Sequence, residues 1–151
     1  MKIATRPMCV VSGMAVNTDG RVLMGKRRSV GKRPGLWELP GGKVEINPDT
    51  GQWIETSQDA LVREWKEELN LGVTVGDWIA TTPILDLEVR FVVELYHVNL
   101  DTGSLQMLDH EDVAWWDPAF VVERLPCSPA FYLHYPAIRA WLLRRRDAQA
   151  C

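Results

Sequence analysis

Residues 55–71 limit what this chain can become more than any other stretch, because their pattern fits a helix with one face in a core. Leu61, Trp65 and Leu69 recur every fourth position, and Val62 widens the apolar stripe they make, the spacing of one side of an α-helix. Thr56, with Asp59 three positions on, offers a variant capping box for the first turn, where free N–H groups need an acceptor.

Beside that stripe lie Glu64, Glu67 and Glu68, whose i, i+3, i+4 spacing crowds three carboxylates onto one patch. Like charges so placed repel by roughly 0.2–0.5 kcal/mol per pair, and the nearest bases, Arg63 and Lys66, are expected to point to other sides of the wheel. Three glutamates taken alone are more often a solvated acidic face. Clustered oxygen donors without His or Cys also suit Mg²⁺, with Mn²⁺ as a substitute, and Mg²⁺ held by a few carboxylates normally binds substrate phosphates as well. The second reading gains from the Pro40-Gly41-Gly42 turn ahead of the helix, where backbone can approach a ligand closely.

Together these residues resemble the Nudix box: Gly, five residues, Glu, seven residues, Arg-Glu, an apolar and an unrestricted residue, Glu-Glu, an unrestricted residue, Gly and an apolar residue. Gly42, Glu55, Arg63, Glu64, Trp65, Glu67, Glu68 and Leu71 match it. Two departures are visible. Twelve residues separate Gly42 from Glu55, so residues 46–54 are expected to contain an insertion, its turn-rich Asn-Pro-Asp-Thr-Gly run forming an exposed excursion. Asn70 replaces the box glycine after the helix, where a left-handed backbone is expected and Asn is the next most tolerant residue.

The resemblance implies an α/β fold, the Nudix-type α/β/α sandwich with a mixed β-sheet flanked by helices, in a single domain over residues 1–151. It is to the MutT type, and extends to residues 36–42, 103–106, Asp109, His110, Trp115 and the helical end. By that resemblance Glu64, Glu67 and Glu68, with the carbonyl of Gly41, hold the metal. A fourth carboxylate six residues before the matching tryptophan falls on Asp109, with Glu111 and Asp112 as rivals, and an acidic surface loop explains the same residues as readily. Glu55 pairs with Arg63 and orients the helix against the Gly42 loop. Arg27, Glu38, Lys43 and His134 are the expected substrate contacts: Arg27 for phosphate, at the place of a MutT-type arginine, and His134 for the base. His110 is expected to hydrogen-bond beside the acids rather than ligate a hard cation.

The implied activity is Mg²⁺-dependent hydrolysis of a nucleoside diphosphate-linked substrate, foremost a nucleoside triphosphate cut to monophosphate and pyrophosphate. Rivals are hydrolysis of ADP-ribose or a dinucleotide, pyrophosphate removal from RNA 5′ ends, and a non-catalytic nucleotide sensor. ADP-ribose enzymes resemble one another in a proline about sixteen residues past the box, a spacing that Pro83 falls short of. Sensors of this type lose box acids and add a DNA-binding part, and this chain displays neither change.

The rest of the chain bounds these readings. Its 151 residues suit one domain. No apolar run is long enough to span a bilayer, the start lacks a signal-peptide segment, and a cytoplasmic protein without membrane partners is expected. A net charge of −3 argues against a stable nucleic-acid complex. Homodimerisation stays open. Cys9, Cys127 and Cys151 form no metal or disulfide pattern and are expected to be ordinary thiols. Strands are expected over 10–16 and 21–25, paired through a turn at 17–20, and over 76–82, 87–98, with Val89, Phe91, Val93 and Leu95 on one face, and 113–116. Helices are expected over 118–125 and 128–146, with Ser128-Pro129 starting the second, Pro136 breaking it, and Arg144, Arg145 and Arg146 favouring its C-terminal dipole.

Overall fold

The computed structural model describes residues 7–31, 33–86 and 88–150. Residues 1–6 and Cys151, on which the expected leaderless start and third thiol fall, lie outside these, as does Leu87. Cys9 and Cys127 are free thiols.

The turn at 17–20 forms as expected. Asn17 Oδ1 accepts from the backbone N–H groups of Asp19 and Arg21 at 3.0 and 2.9 Å, and Gly20 takes a φ of 79°. The strands it joins, β1 (Met8–Met14) and β2 (Val22–Lys26), do not form the expected hairpin. Past a bridge between Val16 and Val22 they part into different sheets. Both strands are buried on two faces, so distant partners outcompete the local one. β2 pairs with β3 (Trp37–Glu38) and β7 (Asp112–Trp116) in a three-stranded antiparallel sheet. β1 lies between β4 (Gly41–Lys43) and β6 (Val89–Gly103), parallel to β6 from Met8 opposite Phe91 to Met14 opposite His97. β5 (Leu71–Asp86) completes this mixed sheet in the order β4-β1-β6-β5.

Helices cover both faces, the α/β/α arrangement expected. α1 (Ser57–Leu69) buries Ala60, Leu61, Trp65 and Leu69 against Val11, Leu23, Val73 and Val98. Val62 is 39% exposed and does not widen the stripe; Ala60 does, on the opposite flank. On the other face α2 (Pro118–Arg124) and α3 (Pro129–Ala150) bring Val121, Phe131, Ile138 and Trp141 against Met14, Met24 and Leu95. In β6 the expected alternation holds at Val93 and Leu95, whereas Val89 is exposed at the strand's start. Register shifts in β5 around Trp78 carry its side chains from the α1 core at Val73 to the α3 core at Ile79, since one extra residue inverts a strand's faces.

Two expectations about α3 are corrected. The helix runs through Pro136 without breaking. The carbonyl deprived of its donor belongs to Tyr132, on an exposed part of the helix where solvent can serve it. The arginine trio does not cap the end, because the helix continues to Ala150; Arg145 instead lies 3.0 Å from His97 Nε2 and over the Trp141 ring. No helix among the described residues is long and apolar enough to cross a membrane.

Candidate active site

One indole and two glycines bring α1 down on the turn that precedes it. Trp65, wholly buried, donates its indole N–H to the Pro40 carbonyl at 3.0 Å, and the Gly13 N–H reaches the same oxygen at 2.9 Å. A β-carbon at Gly41 would lie 1.9 Å from the Val11 carbonyl oxygen, and one at Gly42 would lie 2.3 Å from the Glu64 carboxyl carbon. Only glycine permits such approaches. They set the turn against the acids of α1, with the Gly41 backbone hydrogen-bonded to Glu68. At the helix ends, Thr56 Oγ1 accepts from Asp59 N–H at 3.1 Å, and Asn70 takes the expected left-handed backbone at φ 57°.

Arg63 sits among the acids, contrary to the wheel. It holds Glu55 with two bonds of 3.1 and 2.7 Å, Glu64 at 3.0 Å, Glu67 at 3.3 Å and the Lys43 carbonyl at 3.2 Å. Residues 63 and 67 are an i,i+4 pair and therefore neighbours, and the guanidinium's fork serves several acceptors at once. Only Lys66 turns away, donating to Asn70 Oδ1 at 2.9 Å. The bonds from Arg63 hold the Glu55 carboxyl below its usual range. The insertion closes as a small excursion on the same network. Ile46 bridges Trp53, Ile54 N–H bonds the Glu45 carbonyl at 3.1 Å, and Glu45 N–H bonds the Glu55 carboxylate at 2.9 Å.

Glu68 has no such counter-ion. Burial pushes its carboxyl up to about 9, reinforced by the charges of Glu64, Asp109 and Glu38 and opposed by the Gly41 hydrogen bond. Its Oε2 is buried and lacks a hydrogen-bond partner. Burial raises Glu64 too, against the pull of Arg63. A buried carboxyl crowded by others keeps its proton unless a cation replaces it.

The loop before β7 brings the fourth acid in. Gln106 N–H and Leu108 N–H bond the carbonyls of Leu69 and Glu68 at 2.9 and 3.0 Å, and Arg28 grips the Asp109 and Leu108 carbonyls at 3.0 and 3.1 Å. Asp109 thereby comes close enough to act on Glu68. Its rivals are engaged elsewhere: Glu111 by Ser29 at 2.6 Å and Lys26 at 3.5 Å, Asp112 by the Val113 N–H at 2.8 Å. His110, 6% exposed, lies against Gly25 with Nε2 3.4 Å from Glu38, whose other oxygen is 3.6 Å from Arg27. It stands beside the acid Glu38, but its ring does not make the expected hydrogen bond, and Nδ1 is buried without a partner.

From Glu38 a cleft of about 170 Å³ runs between the mixed sheet and the start of α3, bordered by Arg27, Arg33, Phe91, Phe131 and His134. Three of the four expected substrate contacts therefore share one cavity. Lys43, exposed on β4, does not border it. Arg28 and Arg33 escaped sequence reasoning: the basic run signals a polar loop, but nothing local reveals that it meets carbonyls some eighty residues away.

Among the described residues no three acidic, imidazole or thiol groups already stand as a finished metal-ligand set, since Arg63 engages both Glu64 and Glu67. The donors still fit a hard divalent cation. They are oxygens, they are partly buried, and one oxygen of Glu68 has no partner.

A family model described as the NUDIX domain matches residues 7–132. The chain is 34% identical over 130 residues to a CTP pyrophosphohydrolase of Escherichia coli, covering 85% of this chain and 82% of that protein. It is 35% identical over 109 residues to a protein of Mycobacterium tuberculosis named "putative 8-oxo-dGTP diphosphatase 2", covering 70% of each. The solution structure of the E. coli ORF135 protein superposes with a TM-score of 0.72 at 30% identity, over 93% of this chain and 91% of that one.

Proposed function

The chain belongs to the NUDIX family and is a Nudix hydrolase, and from that premise we propose that it hydrolyses a nucleoside triphosphate to the monophosphate and pyrophosphate. The observation that carries this reading is the buried, unpartnered Oε2 of Glu68, whose carboxyl is crowded by Glu64, Asp109 and Glu38, the last of which also borders a cleft with mostly apolar walls. Such a cavity suits a ligand that is polyanionic at one end and a flat ring at the other. The relatives named for CTP and for 8-oxo-dGTP support the same substrate class.

In this reading Glu64, Glu67 and Glu68, with the Gly41 carbonyl, hold Mg²⁺ or, in its place, Mn²⁺. The bound cation would polarise phosphate oxygens and lower the pKa of the attacking water. Asp109, or a box carboxylate, takes the proton as the water oxygen bonds to phosphorus and the bridging P–O bond breaks, leaving pyrophosphate or the monophosphate on the departing side. Arg27 binds phosphate oxygens, with Glu38 beside its guanidinium; Lys43, exposed on β4 and away from the cleft, is left as a phosphate contact on the side of the Gly41-Gly42 turn. Glu55, Arg63 and Gly42 keep α1 seated on the turn, and Arg63 gives up Glu64 and Glu67 when the cation enters.

The test is a panel of nucleoside triphosphates with Mg²⁺, scored for pyrophosphate against orthophosphate. Pyrophosphate with an equal amount of monophosphate is expected. Orthophosphate release, or no product from any triphosphate, contradicts the reading.

A further inference from the structure

A second pocket, of about 570 Å³ and open to solvent, lies further along α3 and shares no lining residue with the cleft. β5 builds one wall. Register shifts on either side of Trp78 bring Asp77 and Trp78 to the pocket, such irregularities being a usual device for re-aiming side chains at a site. Trp78 is 58% exposed, yet its indole N–H is tied to Thr81 Oγ1 at 2.8 Å, so an open aromatic surface is held in place. The other wall is charged. Arg145 donates to His97 Nε2 at 3.0 Å and lies over Trp141, whose indole N–H donates to Asp77 Oδ2 at 3.2 Å. Burial, then the Arg145 charge, hold the His97 ring below its ordinary pKa against the pull of Asp77, so the ring is neutral and gives Arg145 no counter-charge. Among the described residues neither Arg144 nor Arg145 forms an ion pair with a carboxylate. Two guanidinium groups thus face one carboxylate in this pocket, on a chain whose net charge is −3.

We propose that this pocket is a second ligand site, for a phosphate monoester that carries a flat ring, a nucleoside monophosphate being the type, with the phosphate on Arg144 and Arg145, the ring on Trp78, and Asp77 accepting from a ligand hydroxyl or amine. Two guanidinium forks can share the three terminal oxygens of a phosphate, more acceptors than a carboxylate brings. Asp77 would repel a phosphate placed beside it, so the anion belongs on the Arg144 side and a hydrogen-bond donor beside Asp77. A fixed, exposed indole offers the stacking surface that a planar ring needs. The volume lies within the usual range of small-molecule sites, where the cleft at about 170 Å³ falls below it. The proposal does not depend on hydrolysis in the cleft.

The test is a ¹H–¹⁵N spectrum of the indole N–H groups during titration with AMP in EDTA, with adenosine and inorganic phosphate as separate arms and phosphate affinity read from its displacement of AMP. Among the described residues no tryptophan borders the cleft, so the Trp78 signal, assigned with Trp78→Phe, reports this pocket. A saturable shift of that signal with AMP is expected. Binding should weaken at least about tenfold in Arg144→Gln, an exposed position where the fold is kept. Adenosine and inorganic phosphate, each keeping only part of the contacts, should bind at least about fivefold more weakly than AMP. A Trp78 signal indifferent to millimolar AMP, equal AMP affinity in wild type and Arg144→Gln, or adenosine or inorganic phosphate binding as tightly as AMP overturns the assignment. None of these readings involves turnover, so they hold whether or not the cleft hydrolyses a triphosphate.

Discussion

Glu68 makes the site testable by pH alone. Its folded carboxyl stands at about 9 against an ordinary 4.5, raised by burial and then by Glu64, Asp109 and Glu38. A carboxyl raised on folding contributes stability that is fully present below the unfolded pKa and lost as pH rises through the folded one. In EDTA the melting temperature should therefore fall between about pH 4.5 and pH 9, with Glu64, raised in the same direction, adding to the slope. Glu68→Gln should flatten that decline and melt higher than the wild type at pH 8. Millimolar Mg²⁺ should raise the wild-type melting temperature most at the alkaline end, by mass action on the ionised form. Identical pH profiles for variant and wild type, or no response to metal, would count against the site. Single residues were legible where their role is local. Asn70 had to accept a left-handed backbone, and does so at φ 57°; Thr56 had to cap, and does. Arg63 was misread because a wheel records where a side chain leaves the helix, not where a long guanidinium ends.

Among elements, α1 followed directly from its spacing, and the excursion over 46–54 followed from its turn residues and closes through the Ile46–Trp53 bridge. The partition of β1 and β2 into separate sheets was not visible. It is decided by the pairing of β1 with β6, some eighty residues on, and no local pattern encodes that. β5 was read as a short strand because its register shifts interrupt the alternation that a longer reading needs. Pro136 was expected to break α3 on local grounds, and packing overrules it: Phe131 and Ile138, on either side, are buried in one core. The helix still lacks one hydrogen bond there, so Pro136→Ala should stabilise the protein by about 1–3 kcal/mol in urea denaturation. An unchanged or lower midpoint would mean that the ring's own packing contacts outweigh the missing bond. Gly42→Ala should do the reverse, since its β-carbon would lie 2.3 Å from the Glu64 carboxyl carbon. Turnover should drop even where the fold survives, and normal turnover would show that the turn and the acid need not touch.

At the scale of the whole molecule, the sandwich holds two cores, one beneath α1 and one beneath α2 and α3, and the cleft opens between the sheet and α3, with Glu38 on its border. The architecture was legible through the box and its resemblance rather than through periodicity, which placed most elements without their neighbours. That Arg27, Glu38 and His134 border one cavity, and that Asp109 and Glu38 act on Glu68, needed the tertiary fold, because these residues come from five separate segments. The central claim is that the box carboxylates of this Nudix hydrolase hold the cation that drives pyrophosphate release. Glu67 tests it most cleanly, being exposed and, among the described residues, bonded to Arg63 alone, so that Glu67→Gln keeps shape and fold while removing one charge. The decisive measurement is the initial rate of pyrophosphate release from CTP across a Mg²⁺ titration, in wild type and Glu67→Gln, with melting temperatures recorded alongside. The prediction is a rate that needs metal and saturates in the wild type, and a fall of at least about a hundredfold in the variant at an unchanged melting temperature; near-normal turnover in Glu67→Gln, or a wild-type rate indifferent to Mg²⁺, would contradict it.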